Sequence, residues 1–298
     1  MVHRGASDRL APVTIPDGLV LREATIEDLP AIGSLRESVG WTAPGWALRA
    51  VIGVPHARCV VVDDGARTVA VGSGIAYGPL GFVGNMVVDE AHRRRGLGSA
   101  VLDAVTGFLE RAGCSRLELN ATDQGRALYE RHGFASIGTS ATTRIPRTAT
   151  LAPEPTTAVR KASPIDLNSL AEYDQPRFGG DRRMILAVLL GDPFVRVVVA
   201  DQDGATAGFA CIQQDPPRIG PMLADDPRVA ETLLVEAFAR QPETDALRLN
   251  LPPNNKPGAD WLRGLGLEVE PWEGRMARGP QVPRRDNTVY GMAFGALG

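Results

Sequence analysis

The stretch Val87–Ala112, VVDEAHRRRGLGSAVLDAVTGFLERA, decides how this chain is read. Ahead of it, Phe82–Val88 is an apolar run of strand length that ends in the acidic turn Asp89-Glu90. Arg93-x-x-Gly96-x-Gly98 follows, and an amphipathic helix starts at once, with Leu97, Val101, Ala104, Val105, Phe108 and Ala112 recurring at helical spacing. Strand, glycine-bearing turn and helix start together make an anion site. Gly96 and Gly98 lack a Cβ, so the backbone there can approach a bulky anion and take angles that other residues resist. The first turn of the helix presents backbone N–H groups without intrahelical acceptors, at the positive end of the helix dipole. Phosphate suits such a site, and Arg93, Arg94 and Arg95 add charge around it.

The pattern is neither the nucleotide P-loop, which needs Gly-Lys-Ser/Thr, nor the dinucleotide fingerprint, which needs GxGxxG and an acid about twenty residues on. Two further segments follow in order, Leu117-Glu118-Leu119-Asn120 and Ala127-Leu128-Tyr129-Glu130-Arg131-His132-Gly133-Phe134. With all three pieces, the chain resembles the GCN5-related N-acetyltransferases (GNAT). The resemblance implies an α/β (α+β) fold whose mixed, mostly antiparallel twisted sheet is flanked by helices. It also implies transfer of the acetyl group of acetyl-CoA to the amine of a small molecule by direct attack on the thioester.

Residue roles follow from the same resemblance. Arg93, Arg94, Arg95, Gly96, Leu97, Gly98 and Ser99 would hold the diphosphate of the cosubstrate. Met86, Val87 and Val88 would bond its pantetheine arm, and Asn120 would contact it where two central parallel strands splay. Tyr129 would protonate the departing thiolate, a role for which a phenol that stays protonated at neutral pH is suited. Trp41 and Trp46 stand where family members line the acceptor pocket, and Glu118 shares a strand face with Asn120, where the two side chains would order a water. Asp89 and Glu90 read as turn residues and partners of the arginine run, and His92 and His132 as solvated.

The 298 residues suggest two domains. After a leader over 1–18, a first domain spans 19–146, and a Pro-, Thr- and Ala-rich linker over 147–157 leads to a second domain at 158–298. The second domain repeats the first. Arg22–Leu29 aligns with Arg160–Leu167, Val60–Gly65 with Val198–Gly204, Leu117–Asn120 with Leu247–Asn250, and His132-Gly133-Phe134 with Leu265-Gly266-Leu267. Four matches in order indicate a duplicated fold, hence two tandem GNAT-like domains.

The second copy has lost the loop. Its equivalent, Ile219–Arg228, carries Asp225 and Asp226 where a diphosphate needs bare amides, and Leu262 stands opposite Tyr129. Asp226 and Pro227 still form a helix start. This half also resembles the C-terminal module of a subgroup of tandem acetyltransferase-like proteins at Asp174, Phe178–Arg182, Gly220-Pro221, Arg275-Met276 and Tyr290-Gly291. Arg182 there faces two readings, a partner for a substrate carboxylate or for an internal acid.

Composition excludes other classes. A net charge of −3 with mixed signs gives no nucleic-acid footprint. Cys59, Cys114 and Cys211 are scattered, so neither a metal site nor a disulfide frame is expected, and a reducing cytoplasmic setting fits. No apolar run is long enough to cross a membrane, and the N-terminus has no signal-peptide core. The low aromatic content and many Gly, Pro and Arg residues are compatible with a bacterial source. A monomer or homodimer is expected. A non-catalytic acyl-CoA-binding sensor is the competing functional reading.

Overall fold

Two compact units organise the chain in a computed structural model, residues 1–119 with Leu297, and residues 120–296 with Gly298. The structure describes residues 15–41, 45–153, 157–293, 295 and 297–298, with the backbone alone at 45–46. Most of the expected leader therefore lies outside the described residues.

The first unit contains β1 (Val20–Glu23), α1 (Leu29–Glu37), α2 (Gly45–Arg49), β2 (Ala57–Asp63), β3 (Thr68–Tyr77), β4 (Leu80–Val88), α3 (Leu97–Arg111) and the strand β5 (Arg116–Asn120), whose last residue is counted with the second unit. Strand order is β1-β2-β3-β4-β5, antiparallel except for β4 beside β5. The valine run Val60-Val61-Val62 and the helix residues Val101, Leu102, Val105 and Leu109 are fully buried. Burial of each such side chain contributes roughly 1.5–3 kcal/mol. Gly72 and Gly74 let α3 lie close on β3, for a Cβ at Gly72 would stand 2.4 Å from Val101 Cγ1 and one at Gly74 2.8 Å from Val105 Cγ1.

The second unit contains α4 (Asp123–Arg131), β6 (Ala135–Ser136), β7 (Ser140–Pro146), β8 (Ala158–Lys161), α5 (Leu167–Phe178), α6 (Arg183–Gly191), β9 (Val195–Gln202) and β10 (Ala205–Gln213). It continues through β11 (Arg218–Ala224), α7 (Pro227–Arg240), β12 (Ala246–Leu251), α8 (Lys256–Gly264), β13 (Glu270–Trp272), β14 (Arg275–Arg278) and β15 (Val289–Gly291). Its sheet has the order β13-β7-β12-β11-β10-β9-β8, with β15 also paired to β11.

The duplication is visible in detail. A capping box, Thr25 with Asp28, precedes α1, and Ser163 with Asp166 repeats it before α5. In the first copy Arg22 reaches Asp28 and Asp63, each at 2.7 Å; in the second Arg160 reaches Asp166 at 2.9 Å and Asp201 at 2.8 Å. Gly133 after α4 and Gly266 after α8 both take positive φ, 80° and 75°.

One strand sits elsewhere than the boundary at residue 146 implies. β7 pairs antiparallel with β12 along Ala141–Pro146 and with β13 along Ser140–Thr142. Its Ile145 belongs to the buried cluster of Val198, Ile219, Leu234 and Leu247. β14, far along the chain, pairs instead with β6. Within the second unit, then, the early strand β7 closes the later sheet, and the late strand β14 joins the early strand β6. A strand's alternation states that one face is buried, not which sheet buries it.

Candidate functional site

In the first unit the loop after β4 is built from local interactions. Asp89 Oδ1 accepts from Ala91 N at 3.2 Å and lies 2.8 Å from His92 Nδ1, while Arg67 Nη2 donates to Asp89 Oδ2 at 2.8 Å. The His92 hydrogen bond is the first cause that holds the Asp89 carboxyl below its ordinary range, followed among the favourable causes by Arg67. This corrects two sequence expectations, because Asp89 serves Arg67 and His92 rather than the arginine run, and His92 sits between Asp89 and Asp64 rather than in open solvent. Arg93 folds back, its Nε donating to Val88 O at 3.2 Å, while Arg94 and Arg95 are exposed.

Gly96 precedes α3 at φ 83°, and a Cβ built there would meet nothing within 4 Å. Space on that side is open, and only the backbone angle favours glycine. Ala100 N makes the helix's first bond, to Gly96 O at 3.0 Å, so the amides of Leu97, Gly98 and Ser99 stand ahead of it as the unpaired first turn. Gly98 is not among the positive-φ glycines; Arg94 is the second left-handed residue of the loop, at φ 62°. The angular freedom expected of Gly98 is thus carried by Arg94.

β4 is interrupted beside this loop. Its register with β3 shifts between Val71 and Ser73, and Asn85 at the shift has φ 54°. Asn85 is buried and its Nδ2 donates to Ser73 Oγ at 2.8 Å. Sequence analysis missed this residue, although Asn tolerates left-handed backbone better than most and its place between Gly84 and Met86 was a signal. The parallel register with β5 runs only from Leu80 with Arg116 to Val83 with Leu119, so Gly84–Val88 extend beyond it. Val87 is buried, and Met86 and Val88 are partly exposed.

Glu118 is fully buried and receives Arg116 Nε at 3.0 Å; its carboxylate serves an internal ion pair, which corrects the expectation of a water-ordering group on the Asn120 face. Trp41 is partly buried and its N donates to Arg36 O at 2.9 Å. The Trp46 side chain lies outside the described residues.

In the second unit, Tyr129 on α4 is buried, with its ring edge-on to Phe134 at 6.2 Å between centroids. Gly125, one turn back, leaves room for it, for a Cβ there would be 3.0 Å from Tyr129 Cε2. Burial pushes the phenol up to about 12, so it stays protonated through the physiological range. Asn120 donates through Nδ2 to Gly295 O at 2.7 Å and accepts from Arg275 Nη1 at 3.3 Å. His132 is tied through Nδ1 to Leu128 O at 2.8 Å and is partly buried, which corrects its reading as solvated.

The degenerate loop of this unit is closed from within. Asp226 caps α7, accepting from Arg228 N at 2.8 Å and Val229 N at 3.0 Å. Asp225 Oδ1 takes Arg177 Nη2 at 2.5 Å and lies 2.9 Å from Tyr173 Oη. A protein carboxylate thus stands at the repeat's equivalent of the anion site, and Leu262 is buried in the core.

The fold is that of an acyl-transfer class of protein. Two family models, each an acetyltransferase (GNAT) domain, match residues 55–136 and 170–291, and the chain belongs to that superfamily as a tandem-domain member. It is 26% identical over 228 residues to the uncharacterized N-acetyltransferase YitH of Bacillus subtilis, covering 74% of this chain and 78% of that one. A proposed acetyltransferase from Pyrococcus horikoshii superposes with a TM-score of 0.81 at 23% identity, over 99% of this chain and 100% of the other. A tandem GNAT protein from the clavulanic acid biosynthesis pathway gives a TM-score of 0.58 at 15% identity, over 88% and 99%. Among the described residues no helix is long and apolar enough to cross a membrane, and no cluster of metal-ligating side chains occurs.

Proposed function

We propose that the protein transfers the acetyl group of acetyl-CoA to the amine of a small molecule, using the first copy of the duplicated fold. The observation that carries this reading is the left-handed Gly96 ahead of α3, with open space on its Cβ side and the unpaired amides of Leu97, Gly98 and Ser99 beyond it. That cradle fits a diphosphate. The stretch Gly84–Val88, running past the last residue paired to β5, offers backbone groups to an extended pantetheine arm. When bound, the cosubstrate supplies an activated acyl thioester. Met86–Val88 backbone N–H groups would polarise its carbonyl, and Tyr129 would give its phenolic proton to the departing sulfur while the attacking amine passes its proton to a chain of waters. Buried thiols at Cys59, Cys114 and Cys211 fit a cytoplasmic setting.

The test measures CoA binding by titration and thiol release from acetyl-CoA across an amine library. Binding together with turnover on at least one small amine supports the reading. Tight CoA binding with no turnover on any amine favours a non-catalytic sensor.

A further inference from the structure

Two sets of backbone groups assigned to the cosubstrate in the first copy are taken in the second by the chain itself. The parallel strand pairs fix the comparison. β4 meets β5 at Phe82 with Glu118, and β11 meets β12 at Arg218 with Arg248. Because Leu117–Asn120 aligns with Leu247–Asn250, Arg218 stands for Phe82, and Gly220-Pro221-Met222 for Gly84-Asn85-Met86. The register agrees, for β11 shifts against β10 between Ala210 and Ile212, as β4 shifts against β3 between Val71 and Ser73. Leu223 then stands for Val87.

β15 takes the first set. It pairs with β11, Gly291 opposite Met222 and Val289 opposite Leu223. Met292, directly after it, donates through N to Asn250 O of β12 at 2.7 Å. Met222, Leu223 and Asn250 are the counterparts of Met86, Val87 and Asn120. Asn255 Nδ2 donates to Val289 O at 3.0 Å and Arg218 Nη2 to Ala293 O at 3.3 Å, and all of 289–293 is buried. Two glycines allow this approach. A Cβ at Gly220 would stand 2.0 Å from Met292 O, and one at Gly291 3.1 Å from Met222 Cβ. Asp226 takes the second set. It caps α7 where Gly96 precedes α3, and it holds the amides of Arg228 and Val229, the counterparts of Gly98 and Ser99.

Strands that diverge leave backbone N–H and C=O groups that are costly to bury unless something pairs with them. Beyond the pair of Arg218 with Arg248, the segment 289–293 bridges β11 and β12. An extended strand and a pantetheine arm both offer amide groups to such an edge, and a carboxylate and a phosphate both suit a helix start. We propose that the second copy carries its ligand within the chain, with Val289–Ala293 in the place of a pantetheine arm and Asp226 in that of a diphosphate. The cleft is closed to acyl-CoA and holds the C-terminal segment instead. The identity of the excluded ligand rests on the acetyl-transfer reading, whereas the strand insertion does not.

The experiment is hydrogen–deuterium exchange of the full chain, read by mass spectrometry with and without CoA, beside a calorimetric CoA titration. Amides of 289–293 should exchange roughly a hundredfold or more slower than unstructured chain, and no faster when CoA is added. Those of 86–88 should slow when CoA binds. The titration should saturate at a single CoA per chain, which Gly96→Asp removes. Gly220→Ala, which drives a Cβ into Met292 O, should speed exchange of 289–293 about tenfold or more and leave CoA affinity within about twofold. If that variant fails to fold, the wild-type exchange and the titration decide. The proposal is overturned if 289–293 exchange as fast as unstructured chain, if CoA speeds their exchange, or if a second CoA binds. Absence of CoA binding, or a single CoA that survives Gly96→Asp, with 289–293 protected throughout, supports the insertion and refutes the reading of the first copy instead.

Discussion

Arg182 meets Asp174 as a fork, Nε to Oδ2 at 3.0 Å and Nη2 to Oδ1 at 2.5 Å, with 2% and 0% of the two side chains exposed. Of the two readings open to Arg182 in the sequence, the structure selects the internal acid. A buried pair of this kind resists the loss of one partner far more than replacement of both, because one lost partner leaves a charge without compensation. Asp174→Ala should therefore destabilise the protein by about 3–5 kcal/mol in urea unfolding, while Asp174→Leu combined with Arg182→Met should cost much less. Equal losses in the single and double variants would show that packing, not charge, holds this site.

Gly96→Asp tests the diphosphate cradle. The φ of 83° makes any side chain there costly by about 1–2 kcal/mol, so a modest fall in melting temperature is expected. The added carboxylate would face the bound diphosphate at close range, where like charges repel by about 4 kcal/mol at 4 Å. CoA affinity should drop by roughly a thousandfold. Unchanged affinity in a titration would remove the loop from the cofactor site.

Tyr129→Phe keeps the ring against Phe134 and Gly125 and removes only the hydroxyl. Turnover should fall by about 10²–10⁴, the usual range for a general acid, while CoA affinity stays within about twofold. Burial raises this phenol to about 12, so the wild-type rate should show no alkaline limb from its ionisation near neutral pH. A folded-state value above the unfolded value of about 10 also means that its contribution to stability is full below pH ~10 and is lost as the pH rises toward 12.

Asn85 holds the interruption of β4 at φ 54° through its bond to Ser73 Oγ. Asn85→Gly keeps the backbone angle and loses the hydrogen bond, so a stability loss of about 1 kcal/mol is expected. Asn85→Val forces a β-branched residue into the left-handed region and should cost distinctly more, with thiol release lost as the strand re-registers. Thermal melts with a kinetic assay distinguish the two variants.

Acid should unfold the protein partly through its repeated capping boxes. The Arg22 hydrogen bond, with Thr25, pulls Asp28 down to about 2, and Arg160 lowers Asp166 in the same way. A depressed carboxyl contributes its stability above the unfolded value of about 3.9, and that contribution is lost as the pH falls through the folded value. Stability should therefore decline between pH ~4 and ~2, and Asp28→Asn should flatten that decline while lowering the plateau by about 1 kcal/mol. Chemical denaturation across this window gives both quantities.

Where sequence reading succeeded, the signal was short in range. The start of α3 after Gly96, the capping residue Asp226 and the glycines at 133 and 266 involve neighbours a few positions apart, and the repeat of Arg22–Leu29 at Arg160–Leu167 needed only comparison of two segments. Reading failed where a residue's role depends on a distant partner. Glu118 looked available until Arg116 took its carboxylate, and His92 looked solvated until two aspartates enclosed it. Asn85 drew no notice because its backbone angle arises from a register shift against β3.

The sequence by itself determined the glycine-bearing turn ahead of α3, the duplication and the acidic residues at the second copy's equivalent turn, since spacing and residue type encode helix starts, turns and charge directly. Only the tertiary structure decided that β7 closes the second core, that Asp225 is held by Arg177 and Tyr173, and that the segment 289–293 bridges β11 and β12. The physical reason is that strand alternation and a lone charge specify a need for burial or for a counter-ion. Which of many distant groups meets that need is chosen by packing of the whole chain.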